Sequence, residues 1–296
     1  MKKYFLLVIV ISIIAGCKNH NNNELKSGEI KTADANIYYI EKGDGDTTLL
    51  FLHGWGINSG YWNNQINYFS SKYRTVAADL PGFGKSTSTR KNYTVEKYGD
   101  DVIDIINKLE LKNVILIGHS MSGDIILEAA LKNNKQIAGV VGIDNFKFVG
   151  VEISPDQLKE MSSFIDSLKK DYKNLAPEYA SKYLFSLSTD SIVRERVKND
   201  YRNSNQDVAV SAIKNVFDYN EMKKLTVLDY KLFLINSDGM ATNTEGLKKY
   251  CKSSFEVFDI HGSGHFPMVE KPDEFNRLLQ IVVFQINNSK NQNKYY

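Results

Sequence analysis

Short apolar runs rich in β-branched residues recur along the chain, with helix-like patterns between them. The six runs are Thr47 to Leu52, Thr75 to Ala78, Val114 to Ile117, Ala138 to Ile143, Leu232 to Ile235 and Phe255 to Phe258. Strands that alternate with amphipathic helices are typical of a parallel sheet covered by helices. The segment from Gly28 to Ile40 precedes them and has the alternation of an antiparallel hairpin. The hydrophobic pattern therefore predicts an α/β fold with a mostly parallel central sheet.

Helical patterns alone fill the segment from Phe146 to about Leu225. Apolar side chains are spaced three and four apart here, as in Leu158, Met161, Ile165, Leu168 and Tyr172. We expect an all-helical cap inserted after strand six, with the hairpin counted as strands one and two. The predicted boundaries are 29–145 and 226–287 for the two parts of the core and 146–225 for the cap.

A final helix is predicted to begin near Pro272 and to pack on the core. Its expected buried residues are Phe275, Leu278, Leu279, Val282 and Phe284. From residue 288 to 296 the sequence is polar, and we expect a disordered tail there.

The N-terminal segment has the features of an export signal. Two lysines precede an apolar stretch from Tyr4 to Ile14, which is too short for a comfortable membrane span of about 20 residues. The sequence Ile14-Ala15-Gly16-Cys17 resembles the lipobox of bacterial lipoproteins. The resemblance implies a signal peptide over 1–16, a lipidated Cys17, and attachment to the outer or plasma membrane outside the cytoplasm. Residues 17–28 are polar and Asn-rich, so we expect a flexible tether.

Charge and composition narrow the function classes. The chain has 37 basic and 35 acidic residues that are interspersed along it, with a net charge of +2, and this distribution gives no support for nucleic-acid binding. Its two cysteines leave Cys251 without a partner if Cys17 carries lipid. No metal-ligand pattern and no cofactor motif occurs, and the oligomeric state stays open.

The strongest chemical motif is Gly118-His119-Ser120-Met121-Ser122-Gly123, which follows the apolar run from Val114. A strand that leads through a serine flanked by small residues into a helix is the context of a nucleophile elbow. Ser122 stands where the second glycine of G-x-S-x-G is usual, and its small side chain meets the same steric requirement. The motif predicts Ser120 as a nucleophile.

With these residues the chain resembles the α/β-hydrolase family from about Glu29 to Asn287. Phe51-Leu52-His53-Gly54-Trp55-Gly56 resembles the family's segment after the third strand. The resemblance implies an oxyanion hole formed by the backbone N–H groups of Trp55 and Met121. Asp79 to Ser86 resembles the family's loop after strand four, and it ends like a phosphate-binding loop. Asp79 in the first glycine position and Pro81 within the loop exclude that second interpretation.

A serine hydroxyl needs a base that accepts its proton. Gly262-Ser263-Gly264-His265-Phe266-Pro267 resembles the histidine loop of the family, and the resemblance implies His265 as the base. His261 is expected to be a polar loop residue.

Two aspartates compete for the place of the triad acid. Asp144 follows strand six, which resembles a minority arrangement in the family, whereas Asp238 follows strand seven, where most members have the acid. An alignment without a gap puts Met240 in the usual place. Both aspartates satisfy the chain order Ser, Asp, His. We prefer Asp144 and keep Asp238 as the alternative.

The resemblance implies a serine hydrolase that acts on small carboxylic esters or related acyl compounds through an acyl-enzyme intermediate. The expected partners are a small-molecule substrate and, through the lipid anchor, a membrane. A proline iminopeptidase-like aminopeptidase and a carbon–carbon bond hydrolase share the serine site and are alternatives. A ligand-binding or signalling protein that retains the pocket is an alternative of another class, because fold alone does not determine function.

Overall fold

The computed structural model describes residues 24–132 and 135–292. The predicted signal peptide and the predicted lipidation site Cys17 lie outside these residues. Only the end of the predicted tether, from residue 24, lies within them. Along the described part of the chain, no helix is both long and apolar enough to cross a membrane.

Nine strands form one sheet. They are β1 (Lys26–Lys31), β2 (Ala35–Lys42), β3 (Thr48–Leu52), β4 (Arg74–Ala78), β5 (Thr87–Ser88), β6 (Val114–His119), β7 (Ile137–Ile143), β8 (Leu232–Ser237) and β9 (Phe255–Ile260). The main order is β1-β2-β4-β3-β6-β7-β8-β9, and the two-residue β5 pairs with β2. Strands β4, β3 and β6 to β9 are parallel neighbours, whereas the β1–β2 hairpin and the β2 pairings are antiparallel. The predicted mostly parallel sheet is confirmed.

Ten α-helices accompany the strands in the described residues. They are α1 (Asn63–Phe69), α2 (Val95–Lys108), α3 (Ser122–Ala130), α4 (Pro155–Tyr183), α5 (Ser191–Asn203), α6 (Gln206–Asp218), α7 (Glu221–Leu225), α8 (Thr244–Tyr250), α9 (Pro267–Glu270) and α10 (Pro272–Gln292), with a 3-10 helix over Ser59–Trp62. Helices α4 to α7 lie between β7 and β8. Because β5 was not predicted, β7 is the sixth predicted strand, and the helical insertion follows it as expected.

The strand order changes direction between β3 and β6. The chain runs from β3 to β4 on one side and then returns to place β6 on the other side of β3. Loops that leave the carboxyl ends of strands at such a point diverge and open a crevice, where ligands bind in open α/β sheets. The segment after β3 and the segment after β6 are those that the sequence assigned to the oxyanion hole and the nucleophile.

Helix α4 is interrupted at Asp171, whose φ of −146° and ψ of 58° are not helical. The amide of Asn174 donates to the Asp171 carboxylate at 2.9 Å, and the Gln206 amide donates to the carbonyl of Lys169 at 2.8 Å. Both bonds use groups of α4 that lie within three residues of the break.

Two expectations at the C-terminal helix were wrong. Phe284 is 64% exposed, whereas its neighbour Val283 is fully buried. The helix also continues through Gln292, five residues into the segment predicted as a tail. The buried positions 275, 278, 279, 282, 283 and 286 follow the helical period, so Phe284 falls on the solvent side.

Candidate active site

The strand β6 and the helix α3 hold Ser120 in a sharp turn. Ser120 has a φ of +52°, in the left-handed region that non-glycine residues rarely adopt. A side chain at Gly118 would place its Cβ 2.2 Å from the Ser122 carbonyl oxygen, and one at Gly123 would place it 2.3 Å from the Asn145 amide nitrogen. These close approaches explain the small residues around the serine.

Ser122, the departure from the usual motif, has a structural contact of its own. Its hydroxyl donates to the carbonyl oxygen of His53 at 2.5 Å, and both residues are buried. The hydroxyl therefore links the turn at Ser120 to the loop after β3. Ser122 is not exposed to a substrate, which agrees with Ser120 as the single candidate nucleophile of this segment.

Ser120, His265 and Asp144 are connected in series. The Ser120 hydroxyl donates to Nε2 of His265 at 2.8 Å, and Nδ1 of His265 donates to Oδ2 of Asp144 at 2.6 Å. This assignment of the protons follows because an ionised carboxylate can only accept. A nucleophile, a base and an orienting acid within hydrogen-bond distance are the geometry that serine hydrolysis requires.

The second oxygen of Asp144 has three further donors. The backbone N–H and hydroxyl of Ser237 lie 2.8 and 2.7 Å from Oδ1, and the Lys147 ammonium lies 2.7 Å from it. Burial alone would raise the pKa of Asp144, but the hydrogen bond and charge of His265 and the charge of Lys147 outweigh it and hold that pKa well below its usual value. Asp144 is therefore ionised at neutral pH.

Asp238, the alternative acid, takes no part in this series of hydrogen bonds. Its carboxylate accepts from Nδ1 of His261 at 3.0 Å and from the backbone N–H of Gly262 at 3.1 Å. The side chains of Asp238 and His261 are 41% and 77% exposed. Each aspartate thus pairs with a different histidine, and only the Asp144 pair reaches the serine.

His119 supports the histidine loop, a role that the sequence did not predict. Its Nε2 donates to the carbonyl oxygen of His265 at 2.7 Å, and the backbone N–H of His265 donates to Leu184 at 2.8 Å. Burial and the neighbouring His265 lower the pKa of His119 to about 3, so it is neutral. Its place before the serine in the motif gave no signal of this contact.

The Glu270 carboxylate fixes the same loop from the other side. It accepts from the backbone N–H groups of Gly264 and Phe266 at 2.9 and 3.0 Å. Glu270, His119 and Leu184 thus hold the backbone around His265 in place, independently of the contact between its side chain and Ser120.

Trp55 and Met121 both line the cavity that contains Ser120. In the loops and turns that the structure describes, no backbone hydrogen bond uses the N–H group of either residue. Met121 is also the residue before α3, where the helix dipole is positive. Both N–H groups therefore remain candidates for the oxyanion hole.

The Trp55 side chain joins this loop to the cap. Its indole N–H donates to the Ala209 carbonyl of α6 at 2.7 Å. Its ring lies 5.0 to 6.4 Å from the rings of Tyr201, Tyr172 and Tyr179, in edge-on arrangements. The same residue therefore carries a candidate oxyanion donor and anchors three cap helices.

A cavity of about 490 Å³ lies between the core and the cap, with Ser120, Asp144 and His265 among its lining residues. Most of its surface is apolar, with Phe146, Phe148, Tyr179, Tyr183, Phe185, Ile213, Val216, Phe217 and Met240 contributing. Its charged residues besides Asp144 and Lys147 are Asp124, Glu221 and Lys182. A site of this shape suits an apolar molecule with a polar reacting group.

Within residues 24–132 and 135–292, no group of three or more His, Cys, Asp or Glu side chains is placed to hold a metal ion. Cys251 is a free thiol of intermediate exposure, and burial raises its pKa to about 11. It is protonated at neutral pH and lacks the thiolate character of a reactive cysteine.

A family model described as the α/β hydrolase fold matches residues 47–272. The chain belongs to the α/β-hydrolase-fold family. The resemblance predicted from the sequence is thereby confirmed, and the chain is a hydrolase of this fold.

Two similar curated proteins are named pimeloyl-[acyl-carrier protein] methyl ester esterase. One, from Wigglesworthia glossinidia brevipalpis, is 29% identical over 159 residues, which are 53% of this chain and 60% of the relative. The other, from Yersinia pseudotuberculosis, is 22% identical over 267 residues, which are 82% of this chain and 95% of the relative.

Solved structures of this family have the same fold. A thermophilic esterase from Thermogutta terrifontis superimposes with a TM-score of 0.75 at 19% identity, over 88% of this chain and 99% of that one. A bromoperoxidase from Bacillus anthracis superimposes with a TM-score of 0.77 at 20% identity, over 87% and 99%. At these identities the likeness concerns the fold.

Proposed function

We propose that the chain is a serine hydrolase that cleaves small carboxylic esters through an acyl-enzyme intermediate on Ser120. The observation that carries the proposal is the unbroken series of hydrogen bonds from Ser120 through His265 to Asp144. It lies in a mostly apolar cavity under a helical cap. The names of the two curated relatives support an ester bond as the target.

In the acylation step, Ser120 Oγ attacks the carbonyl carbon of the ester and its proton passes to Nε2 of His265. The carbonyl oxygen becomes an oxyanion, which the N–H groups of Trp55 and Met121 stabilise. The bond to the alcohol oxygen then breaks, and the imidazolium returns its proton to the leaving alkoxide. The products are a free alcohol and an ester between the acyl group and Ser120.

In the deacylation step, His265 takes a proton from water, and the hydroxide attacks the acyl carbon. Collapse of the second tetrahedral intermediate releases the carboxylic acid and returns the proton to Ser120. Asp144 remains ionised throughout, because its role is to hold the His265 tautomer and stabilise the imidazolium.

An active-site probe tests this proposal. A fluorophosphonate should label the wild-type protein at Ser120, and labelling should fall to background in Ser120→Ala and in His265→Ala. His261→Ala is the matched control, since it removes a histidine of the neighbouring loop that has a carboxylate partner but no contact with the serine. Equal labelling in all four proteins would remove the support for the proposal.

A substrate panel assigns the reaction within the serine class. We expect nitrophenyl esters of short apolar acids to turn over faster than a proline nitroanilide or a carbon–carbon substrate, because the cavity is mostly apolar. Preference for the nitroanilide would indicate an aminopeptidase. Labelling without turnover of any substrate would instead indicate a binding or signalling protein.

We further propose that Cys17 is lipidated after signal cleavage and anchors the enzyme to the cell envelope. The support is the sequence Ile14-Ala15-Gly16-Cys17 after an apolar stretch. Labelled palmitate should enter the full chain and not Cys17→Ser, and the variant should leave the membrane fraction. A soluble wild-type protein without label would overturn this part and leave the hydrolase proposal intact.

A further inference from the structure

A buried lysine shares the carboxylate that orients His265. The Lys147 side chain is 4% exposed, and its ammonium lies 2.7 Å from Oδ1 of Asp144. It also donates to the carbonyl oxygen and the hydroxyl of Ser237 at 2.8 and 3.0 Å. Lys147 lies three residues after Asp144, in the loop that leaves β7, and it lines the catalytic cavity.

Hydrogen bonding alone does not require a charge at this position. Oδ1 of Asp144 already accepts from the backbone N–H and the hydroxyl of Ser237, and Oδ2 accepts from His265. Removing an ammonium from water costs several kcal/mol unless a nearby negative charge offsets it. The cation is therefore balanced by the same carboxylate that would stabilise an imidazolium.

We propose that Lys147 is a positioning residue that acts through Asp144 and keeps His265 unprotonated, and so able to act as a base, at lower pH. This inference rests on the proposed serine hydrolase function. With Lys147 present, the side chains of Asp144, Lys147 and His265 together have no net charge when His265 is neutral and a charge of +1 when His265 is protonated. Without Lys147 the same two states have charges of −1 and zero, which favours protonation.

Other charged and titratable groups surround His265. They are His119 on β6, Glu270 on α9, and the cavity residues Asp124 on α3, Lys182 on α4 and Glu221 on α7. His119 is neutral, and Glu270 accepts from backbone N–H groups and from Thr189. Among the described residues, the Asp144 carboxylate has two ion-pair partners, Lys147 and His265.

The test is the pH dependence of two reactions at Ser120, fluorophosphonate labelling and kcat/KM for a neutral ester. In Lys147→Met we expect the acidic limb of both profiles to move up by about one pH unit. Lys147→Arg keeps the charge and should restore the wild-type limb to within about 0.3 pH units. Lys248→Met removes an exposed lysine of α8 outside the cavity and should leave the limb in place.

Two additions keep the result decisive. Lys147→Gln can still donate to Ser237 without a charge, so it serves if the methionine variant does not fold. An NMR titration of the His265 ring in wild type and variant, assigned with His265→Ala, needs no turnover. If labelling is absent but the titration moves upward in the neutral variants, the hydrolase proposal fails and this inference stands. If labelling occurs and both profiles and titration coincide with wild type, Lys147 is only structural.

Discussion

Asp144 and Asp238 are the same side chain at the ends of neighbouring strands, and their surroundings give them different properties. Asp144 is buried among donors, whereas Asp238 is half exposed and pairs with a surface histidine. A buried carboxylate that holds a catalytic histidine determines which nitrogen carries the proton. The exposed pair of Asp238 and His261 makes no contact of this kind with the histidine that bonds to Ser120.

Replacing Asp144 by Asn should lower kcat by about 10³ to 10⁴, because the amide favours the wrong tautomer of His265. Asp238→Asn is the matched change after the adjacent strand and should leave kcat within about twofold. Steady-state kinetics on one ester at pH 8, with circular dichroism to check folding, measures both. Comparable losses in the two variants would contradict the triad proposed here.

Ser122 should affect stability more than chemistry. In Ser122→Ala the buried His53 carbonyl loses its donor, and we expect the free energy of unfolding to fall by about 1 to 2 kcal/mol. Activity per folded molecule should remain within a few-fold, since Ser120 keeps its turn. Urea denaturation together with active-site titration separates the two effects. A thousand-fold loss of kcat at unchanged stability would assign Ser122 to the chemistry.

At the residue scale, motifs predicted Ser120 and His265 but could not decide the acid. The decision depends on the turn after β7, where Asp144 and Phe146 have φ values of +49° and +53°. Aspartate adopts positive φ more readily than most non-glycine residues, but phenylalanine does not, so the sequence does not mark this turn. The role of His119 was not predicted because its partner, His265, is distant in the sequence. That of Lys147 was not predicted because its contacts with Ser237 and with the nearby Asp144 both depend on the turn after β7.

Among the elements, the segment between β5 and α2 is held by one buried arginine. Arg90 donates twice to Asp101 on α2 at 2.5 Å and once to Asp34 in the β1–β2 turn at 2.6 Å. The Arg90 and Asp101 side chains are both nearly inaccessible to water. The bidentate pair with Asp101 and the bond to Asp34 connect a turn, a loop and a helix.

Breaking this pair should destabilise the fold without touching the chemistry. Asp101→Ala leaves a buried guanidinium with one partner, and we expect a loss of about 3 to 5 kcal/mol in unfolding free energy. Lys169→Met removes one partner of an exposed pair on α4 and should leave the melting temperature unchanged. Differential scanning calorimetry compares them. Equal melting temperatures would show that the buried pair contributes little.

Periodicity predicted the strands, the cap and its helical character, but it assigned some faces wrongly. A stretch with apolar side chains on three neighbouring positions, such as Val282, Val283 and Phe284, fits more than one helical face. The packing of α10 against β7 and β8 decides between them, and Ile286 meets Gly139 there. The interruption of α4 at Asp171 was likewise not predicted, because the helical spacing of its apolar residues continues across it.

For the molecule as a whole, the catalytic cavity also links stability to pH. Asp124 on α3 and Glu221 on α7 line it together. Burial, and for Asp124 also the charge of Glu221, raises the pKa of both carboxyls, that of Glu221 to about 7. No ion pair among the described residues includes either carboxylate. Their ionisation therefore opposes the folded state.

The sign of the pH effect follows from the raised pKa. In the unfolded chain Glu221 titrates near its ordinary 4.5, so below that pH both states are protonated and the stabilising contribution is complete. Between about pH 4.5 and 7 the unfolded chain loses the Glu221 proton while the folded protein keeps it, so stability falls by on the order of 2 kcal/mol and levels off above about 7. We expect the melting temperature to decrease from pH 5 to pH 8, and Glu221→Gln to be more stable than wild type at pH 8 but not at pH 4.5.

Glu245→Gln, on the exposed face of α8, is the control and should follow the wild-type curve. A wild-type advantage over Glu221→Gln at pH 8 would mean that the ionised carboxylate has a partner in the folded protein, and the cavity would then carry a balanced charge at its inner wall.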